Sequence, residues 1–181
     1  MCKSAPARAE ELLVRIGATR EQAEAAEKRW WFAEATNKFS TIDEYISAWG
    51  APASDRVERR HGREVRYAAW DLPFWPGLRL EWMQLPNQPH MLRTLYRAPG
   101  FSPPPLASVA DLTPWSCTWD EFHDGRLGPT DVFDGFGGPG TVACFRGVDS
   151  GSGHERTWFA IFDWGLLQRV EPAPDTYVWM L

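Results

Sequence analysis

Asp120, Glu121, His123 and Asp124 form the densest cluster of chemically capable side chains in this 181-residue chain. Three carboxylates and an imidazole offer ligands for a hard cation, and zinc would want the histidine with defined partners. No second histidine stands at zinc spacing. The same carboxylates suit the first turn of a capped helix, where the helix dipole favours negative charge. Cys117 and His123 raise a nucleophile–base pair, but Cys117 lies between Trp115 and Trp119, a setting for an inert buried thiol. His61, His90 and His154 fall in turn or loop sequence without a triad pattern. Gly151-Ser152-Gly153 precedes no helix and is not a phosphate loop. The sequence therefore assigns no catalytic residue, no metal ligand and no cofactor.

Arg56, Arg59, Arg60, Arg63 and Arg66 concentrate positive charge, but Asp55, Glu58 and Glu64 dilute it. This reads as a solvated hairpin, with contact to an anionic partner as the alternative. Residues 1–100 carry 15 Lys+Arg against 13 Asp+Glu, and residues 101–181 carry 4 against 11. The acidic second half repels phosphate backbones, which argues against nucleic acid as a partner. It would steer a basic protein instead.

The chain holds eleven Trp. Such rings bury large areas and are enriched where proteins grip one another. No apolar run reaches membrane-spanning length, and the N-terminus shows no signal-peptide core. Three cysteines, Cys2, Cys117 and Cys144, form neither a disulfide framework nor a CxxC site. A cytoplasmic location is expected; a mature secreted form is also compatible, as is a single Cys117–Cys144 bridge.

The positioning elements follow from period and punctuation. Residues 6–17 and 20–37 read as helices, the second opened by a Thr19/Gln22 capping box. Thr41 with Glu44 opens a short helix that Gly50 and Pro52 end. Alternation then marks strands at 56–60 and 63–70 with a His61-Gly62 turn, and further strands at 78–82 and 91–97. Residues 98–105, rich in proline, read as a linker. Thr118 with Glu121 opens another short helix, and residues 131–136 read as a second brief one. Strands are expected at 141–148, 156–164, 165–170 and 176–181.

The chain also resembles itself. Trp49, Gly50 and Pro52 recur as Phe136, Gly137 and Pro139, 87 positions on. Tyr67 to Asp71 echoes Phe159 to Asp163 at an offset of 92, and Gly77 echoes Gly165 at 88. A duplicated supersecondary unit is expected. The expected fold class is α+β, with two fused diverged repeats. Each repeat has short helices followed by a four-stranded antiparallel meander, and the two meanders may be read as one curved sheet. The domain reading is an N-terminal helical segment at 1–40 packing on the first repeat at 41–97, then the linker at 98–105, then the second repeat at 106–181.

Glu44, Ile46, Trp49, Gly50, Pro52 and Tyr67, with Asp131, Phe133, Phe136, Gly137, Pro139 and Phe159, carry a pattern of helix, Gly-x-Pro and aromatic strand. It resembles the β-lactamase-inhibitor-protein fold and the small outer-membrane lipoprotein domains grouped with it. The resemblance implies helices on one side of a sheet and an aromatic face that docks on another protein. On the strands themselves, Trp70 shares a face with Arg66 and Ala68, and Phe162 shares one with Trp158 and Trp164. If the helices cover the Tyr67/Phe159 face, the Trp70/Phe162 face lies open.

The expected function is therefore a non-enzymatic protein-binding module of inhibitor or immunity type. Its face would comprise Trp70, Trp75, Trp82, Trp158, Phe162 and Trp164, with Asp71 and Asp163 as polar anchors. The rival reading is a small-ligand protein or enzyme with a Trp-lined pocket, using Cys117, Asp120 and His123. Pairing of the aromatic face with a second copy is the third outcome.

Overall fold

The computed structural model describes residues 6–36, 39–86, 88, 91–134, 140–174 and 177. The chain divides into two compact units, Met1–Ala98 and Pro99–Leu181. The fold class is α+β, and each unit holds its own four-stranded antiparallel sheet with strands in sequential order.

In the first unit, helices α1 (Pro6–Ile16), α2 (Arg20–Ala35) and α3 (Ile42–Trp49) precede strands β1 (Ser54–Arg60), β2 (Arg63–Asp71), β3 (Leu78–Gln84) and β4 (Met91–Arg97). Helix α3 is short, so its ends must be fixed by side chains. The Glu44 amide donates to Thr41 Oγ1 at 3.3 Å, and the Thr41 amide donates to Glu44 Oε2 at 2.9 Å. This is the reciprocal capping box expected from the sequence. The amides of Ser40 and Thr41 hold the Glu44 carboxyl below its usual range. Gly50, at φ 84°, lets the chain leave the helix while its N–H donates to Ile46 O at 2.9 Å. Gln84 Oε1 of β3 accepts from the Ile42 amide at 3.0 Å and ties the helix start to the sheet.

In the second unit, a 3-10 turn at Val109–Asp111 precedes helix α4 (Trp119–His123) and strands β5 (Asp131–Asp134), β6 (Gly140–Val148), β7 (Glu155–Asp163) and β8 (Leu166–Pro172). The Thr118 amide donates to Glu121 Oε2 at 2.8 Å, so the Glu121 half of the expected cap is formed here, while the buried Thr118 hydroxyl makes no hydrogen bond among the described residues. The segment before α4 is laid along β8: Trp115 N donates to Leu167 O at 2.8 Å and Leu167 N to Cys117 O at 3.0 Å.

Two sequence expectations are corrected. Of the brief helix expected at 131–136, the described part, Asp131–Asp134, is instead the edge strand β5, paired with β6 through Val132–Ala143 and Phe133–Val142. Four residues carry too little period to separate helix from strand, and pairing with β6 decides. The repeat also has a different register. The starts of α3 and α4 (Ile42, Trp119), β1 and β5 (Ser54, Asp131), β2 and β6 (Arg63, Gly140), and β3 and β7 (Leu78, Glu155) all lie 77 positions apart. The offsets of 87 to 92 matched β2 to β7, a slip of one strand. The 77-residue register instead equates the two capping boxes, Thr41/Glu44 with Thr118/Glu121, and Pro52 with Pro129. Phe136, Gly137, Pro139 and most of 176–181 lie outside the described residues. Described strands β5 to β8 already make up the second sheet.

Each helix covers the same face of its sheet. In the first unit, Tyr45 of α3 stacks on Trp82 with centroids 4.3 Å apart, and Trp49 meets Trp70 edge-on at 5.6 Å. In the second, Phe122 of α4 packs against Phe145 at 5.4 Å and Phe162 at 5.3 Å, among Leu112, Cys117, Ala143, Ala160 and Leu167. Gly147 is required there, because a Cβ would lie 2.4 Å from Val109 Cγ2. Cys117 belongs to this helix-side core, whereas Cys144 pairs with Asp131 and Phe159 on the other face. Both cysteines are buried and neither is in a disulfide, so the Cys117–Cys144 bridge does not form.

Phe122 is fully buried, and Phe122→Ala is expected to destabilise the protein by about 3–5 kcal/mol, read as a lower urea midpoint at unchanged slope. A loss under about 1 kcal/mol would show that α4 is not the keystone of the second core.

Candidate functional site

The placement of the aromatic rings follows from which face the helices chose. They cover the Trp70/Phe162 face, the reverse of the arrangement that would have left it open. Trp82 is 2 % exposed, Phe162 1 % and Trp70 8 %. These rings fill the cores of their own units, so this structure takes them off the expected docking surface. Each of two tryptophans also spends its indole N–H internally: Trp70 donates to Gly50 O and Trp158 to Gly147 O, both at 3.1 Å. Trp158 is half-buried at the edge of the second core, with the Arg156 guanidinium 5.4 Å from its ring.

The remaining expected residues scatter. Trp75 is half-buried in the loop between β2 and β3, its amide bonded to Leu72 O at 2.8 Å. Trp164 is half-buried at φ 51° in the β7–β8 turn, where Asp163 pairs with Leu166. Asp71 is exposed and accepts from Arg79 Nε at 2.6 Å. The structure thus brings Trp70 and Trp82 together around Trp49 in the first core and Trp158 and Phe162 together on β7 in the second, and leaves Trp75 and Trp164 in separate turns.

Among the described residues of the first unit, Phe39, Trp30, Tyr45, Trp49, Trp70 and Trp82 form one connected cluster of rings. Trp30 of α2 lies 5.8 Å from Trp49, 6.2 Å from Trp82 and 6.3 Å from Tyr45. Burial pushes the Tyr45 hydroxyl up to about 12, so it stays protonated at neutral pH. Trp30 is the ring by which α2 docks on α3 and the sheet. Trp31 and Phe32 come next in sequence, and because successive helical residues turn through about 100° they cannot share that contact. They stand 68 % and 63 % exposed. Sequence reading missed them as a surface, although three consecutive rings on a helix whose docking side was already supplied by Trp30 was the available signal.

The opposite face of the first sheet carries buried Val65 and Tyr67 beside charged side chains. The Arg56 guanidinium lies 4.5 Å from the Tyr67 ring and bonds Glu58 Oε1 at 2.8 Å and Glu81 Oε2 at 2.5 Å. On the helix-covered face, at its edge by α3, Arg66 forks onto Asp55 at 3.0 and 2.7 Å and reaches Asp43 Oδ1 at 2.8 Å. This bridge joins β1, β2 and α3. The Arg66 hydrogen bonds hold the Asp55 carboxyl below its usual range.

In the second unit, Pro103, Pro104, Leu106 and Ala107 face Asp120, Glu121, Asp124 and Arg126 across a cleft of about 540 Å³. No tryptophan lines it, unlike the pocket of the rival reading. Glu121 serves the α4 cap, and His123 Nδ1 lies 3.1 Å from Asp124 Oδ1. Among the described residues, no group of three or more His, Cys, Asp or Glu could hold a metal ion. Cys144 and Tyr177 cluster with Asp131, the Tyr177 hydroxyl donating to Asp131 Oδ2 at 3.0 Å; burial raises the Cys144 thiol and disfavours a reactive thiolate. No helix among the described residues is long and apolar enough to cross a membrane. No family model, curated protein or solved structure matches the chain.

Trp30→Ala is expected to lower stability by about 2 kcal/mol, the value for half-burying one large ring, and to raise amide exchange along α2 first. The Asp55–Arg66 pair sets a pH signature. A carboxyl whose folded value is depressed contributes stability above the unfolded value and loses it as pH falls through the folded one. Acid titration of wild type should therefore show a loss below about pH 4 that is smaller in Asp55→Asn. Identical acid profiles would remove Asp55 from that role.

Proposed function

We propose that this protein is a non-enzymatic protein-binding module, of the inhibitor or immunity type that the sequence resemblance implies, and that it engages its partner through Trp31 and Phe32 of α2. One observation carries the reading: two large rings stand side by side, each about two-thirds exposed, on a helix already anchored by Trp30. Exposed rings are normal singly, but adjacent aromatic rings on a fixed mount are the composition of an interface hot spot. Their rigidity helps as well, because an aromatic side chain has few rotamers to freeze on binding.

The enzyme reading draws less support. Its polar groups do not converge: Cys117 is fully buried in the second core, while Asp120 borders the cleft outside it. His123 is exposed beside Asp124. Self-association through Trp31 and Phe32 is a distinct outcome that the same variant reports.

Wild type and a Trp31→Ala/Phe32→Ala variant would be used as baits in lysate of the native host. A stoichiometric partner retained by wild type and weakened by about 10- to 100-fold in the variant is the expected result, quantified by calorimetry with the purified partner. A partner held equally by both would move the site elsewhere. No partner at all, with both baits folded, would end the binding-module reading.

A further inference from the structure

Most arginines of strands β1, β2 and β3 have a carboxylate partner, except at one end. Arg56 has Glu58 and Glu81, Arg66 has Asp55 and Asp43, and Arg79 has Asp71. Arg60 has Glu58, whose carboxylate is then shared between two guanidiniums. Arg59 and Arg63 have no carboxylate partner among the described residues, and both are exposed. They flank the tip of the β1–β2 hairpin, where His61 at φ 49° and Gly62 at φ 80° make a two-residue turn of the type I′ pattern.

The hairpin register makes this end less favourable still. Arg60 lies directly opposite Arg63, and like charges directly opposite each other destabilise a strand pair. Glu64 lies opposite Arg59, yet the two form no ion pair among the described residues. Residues 59–64 are all exposed, so the tip projects from its unit. Strands that pair Arg56, Arg66 and Arg79 this closely, yet oppose Arg60 and Arg63 at an exposed tip, leave cationic capacity for something outside the unit.

We propose that the β1–β2 tip, through Arg59, Arg60 and Arg63, docks onto a carboxylate-rich segment of a partner protein. Two observations favour carboxylates over a phosphate polymer. Glu58 and Glu64 beside the arginines would be repelled by a continuous phosphate track but tolerated by spaced carboxylates. Arg59 and Arg63 point to opposite faces of the ribbon, because the 59–64 and 60–63 pairs alternate sides. That geometry suits a wedge between acidic side chains, each taken by a planar guanidinium fork. The inference rests on the protein-binding reading above and adds a second contact with defined partner chemistry.

The test uses the full chain and a peptide of alternating glutamate and serine, titrated by nuclear magnetic resonance at about 20 mM salt, where surface charges are weakly screened. Expected are saturable shifts confined to the β1–β2 tip. Affinity should fall about tenfold or more in Arg59→Ala/Arg63→Ala and stay unchanged in Arg15→Ala on α1. Absence of binding, or equal loss in Arg15→Ala, would overturn the proposal. So would tighter binding of a short DNA duplex, which would assign the tip to phosphate. Low-salt self-association lost in the same tip variant would assign it to a second copy and also overturn it. Peptide binding is read independently of lysate capture, so failure of the Trp31/Phe32 reading and failure of this one remain distinguishable.

Discussion

Everything in each unit depends on one short helix pressing aromatic rings into one sheet face. Helix α3 has eight residues and α4 five, lengths at which an isolated helix is unstable in water. They persist because their ends are bonded and their rings are buried. Tyr45 stacks on Trp82, and Phe122 sits between Phe145 and Phe162. The cap places the first turn, the first turn aims the ring, and the ring fixes which face of the sheet becomes interior.

That choice of face then partitions the rest of the chemistry. With Trp70 and Trp82 committed to the interior of the first unit, its β1 and β2 arginines work with Asp43, Asp55, Glu58 and Glu81 outside that core. In the second unit the same partition separates the cysteines. Cys117 joins the helix-side core and Cys144 the opposite face, beside Asp131 and Tyr177. The two surfaces proposed for recognition, the far side of α2 and the tip of the β1–β2 hairpin, are exposed and lie outside the core of the first unit.

The duplication illustrates how far short motifs carry. Gly-x-Pro and a strand ending in an aromatic ring recur wherever a chain turns into a sheet, so matching them can slip by a whole strand. The capping boxes at Thr41/Glu44 and Thr118/Glu121 are stricter, because each needs two reciprocal side chains at fixed spacing. They hold a 77-residue register through β2 and β6, after which β3 and β7 correspond by pairing at an offset of 76. The third strands show why sequence identity adds little here. In the two sheets Trp82 pairs with Ala68 and Trp158 pairs with Phe145. Conserved placement survives while its neighbours differ in size.

The sequence by itself determined the caps, the His61-Gly62 turn, the alternating strands and the α+β class, because each depends on residues close together in the chain. It also determined that rings would be plentiful and that the second half would be acidic. Only the tertiary structure decided which sheet face the helices cover, and with it the burial of Trp70, Trp82 and Phe162. Strand alternation defines two faces but not which one meets a helix; that depends on where Tyr45 and Phe122 land across the sheet. Likewise residues 131–134 became strand β5 because β6 offered an edge, and Trp31 and Phe32 became surface because Trp30 had already filled the space beside Trp82.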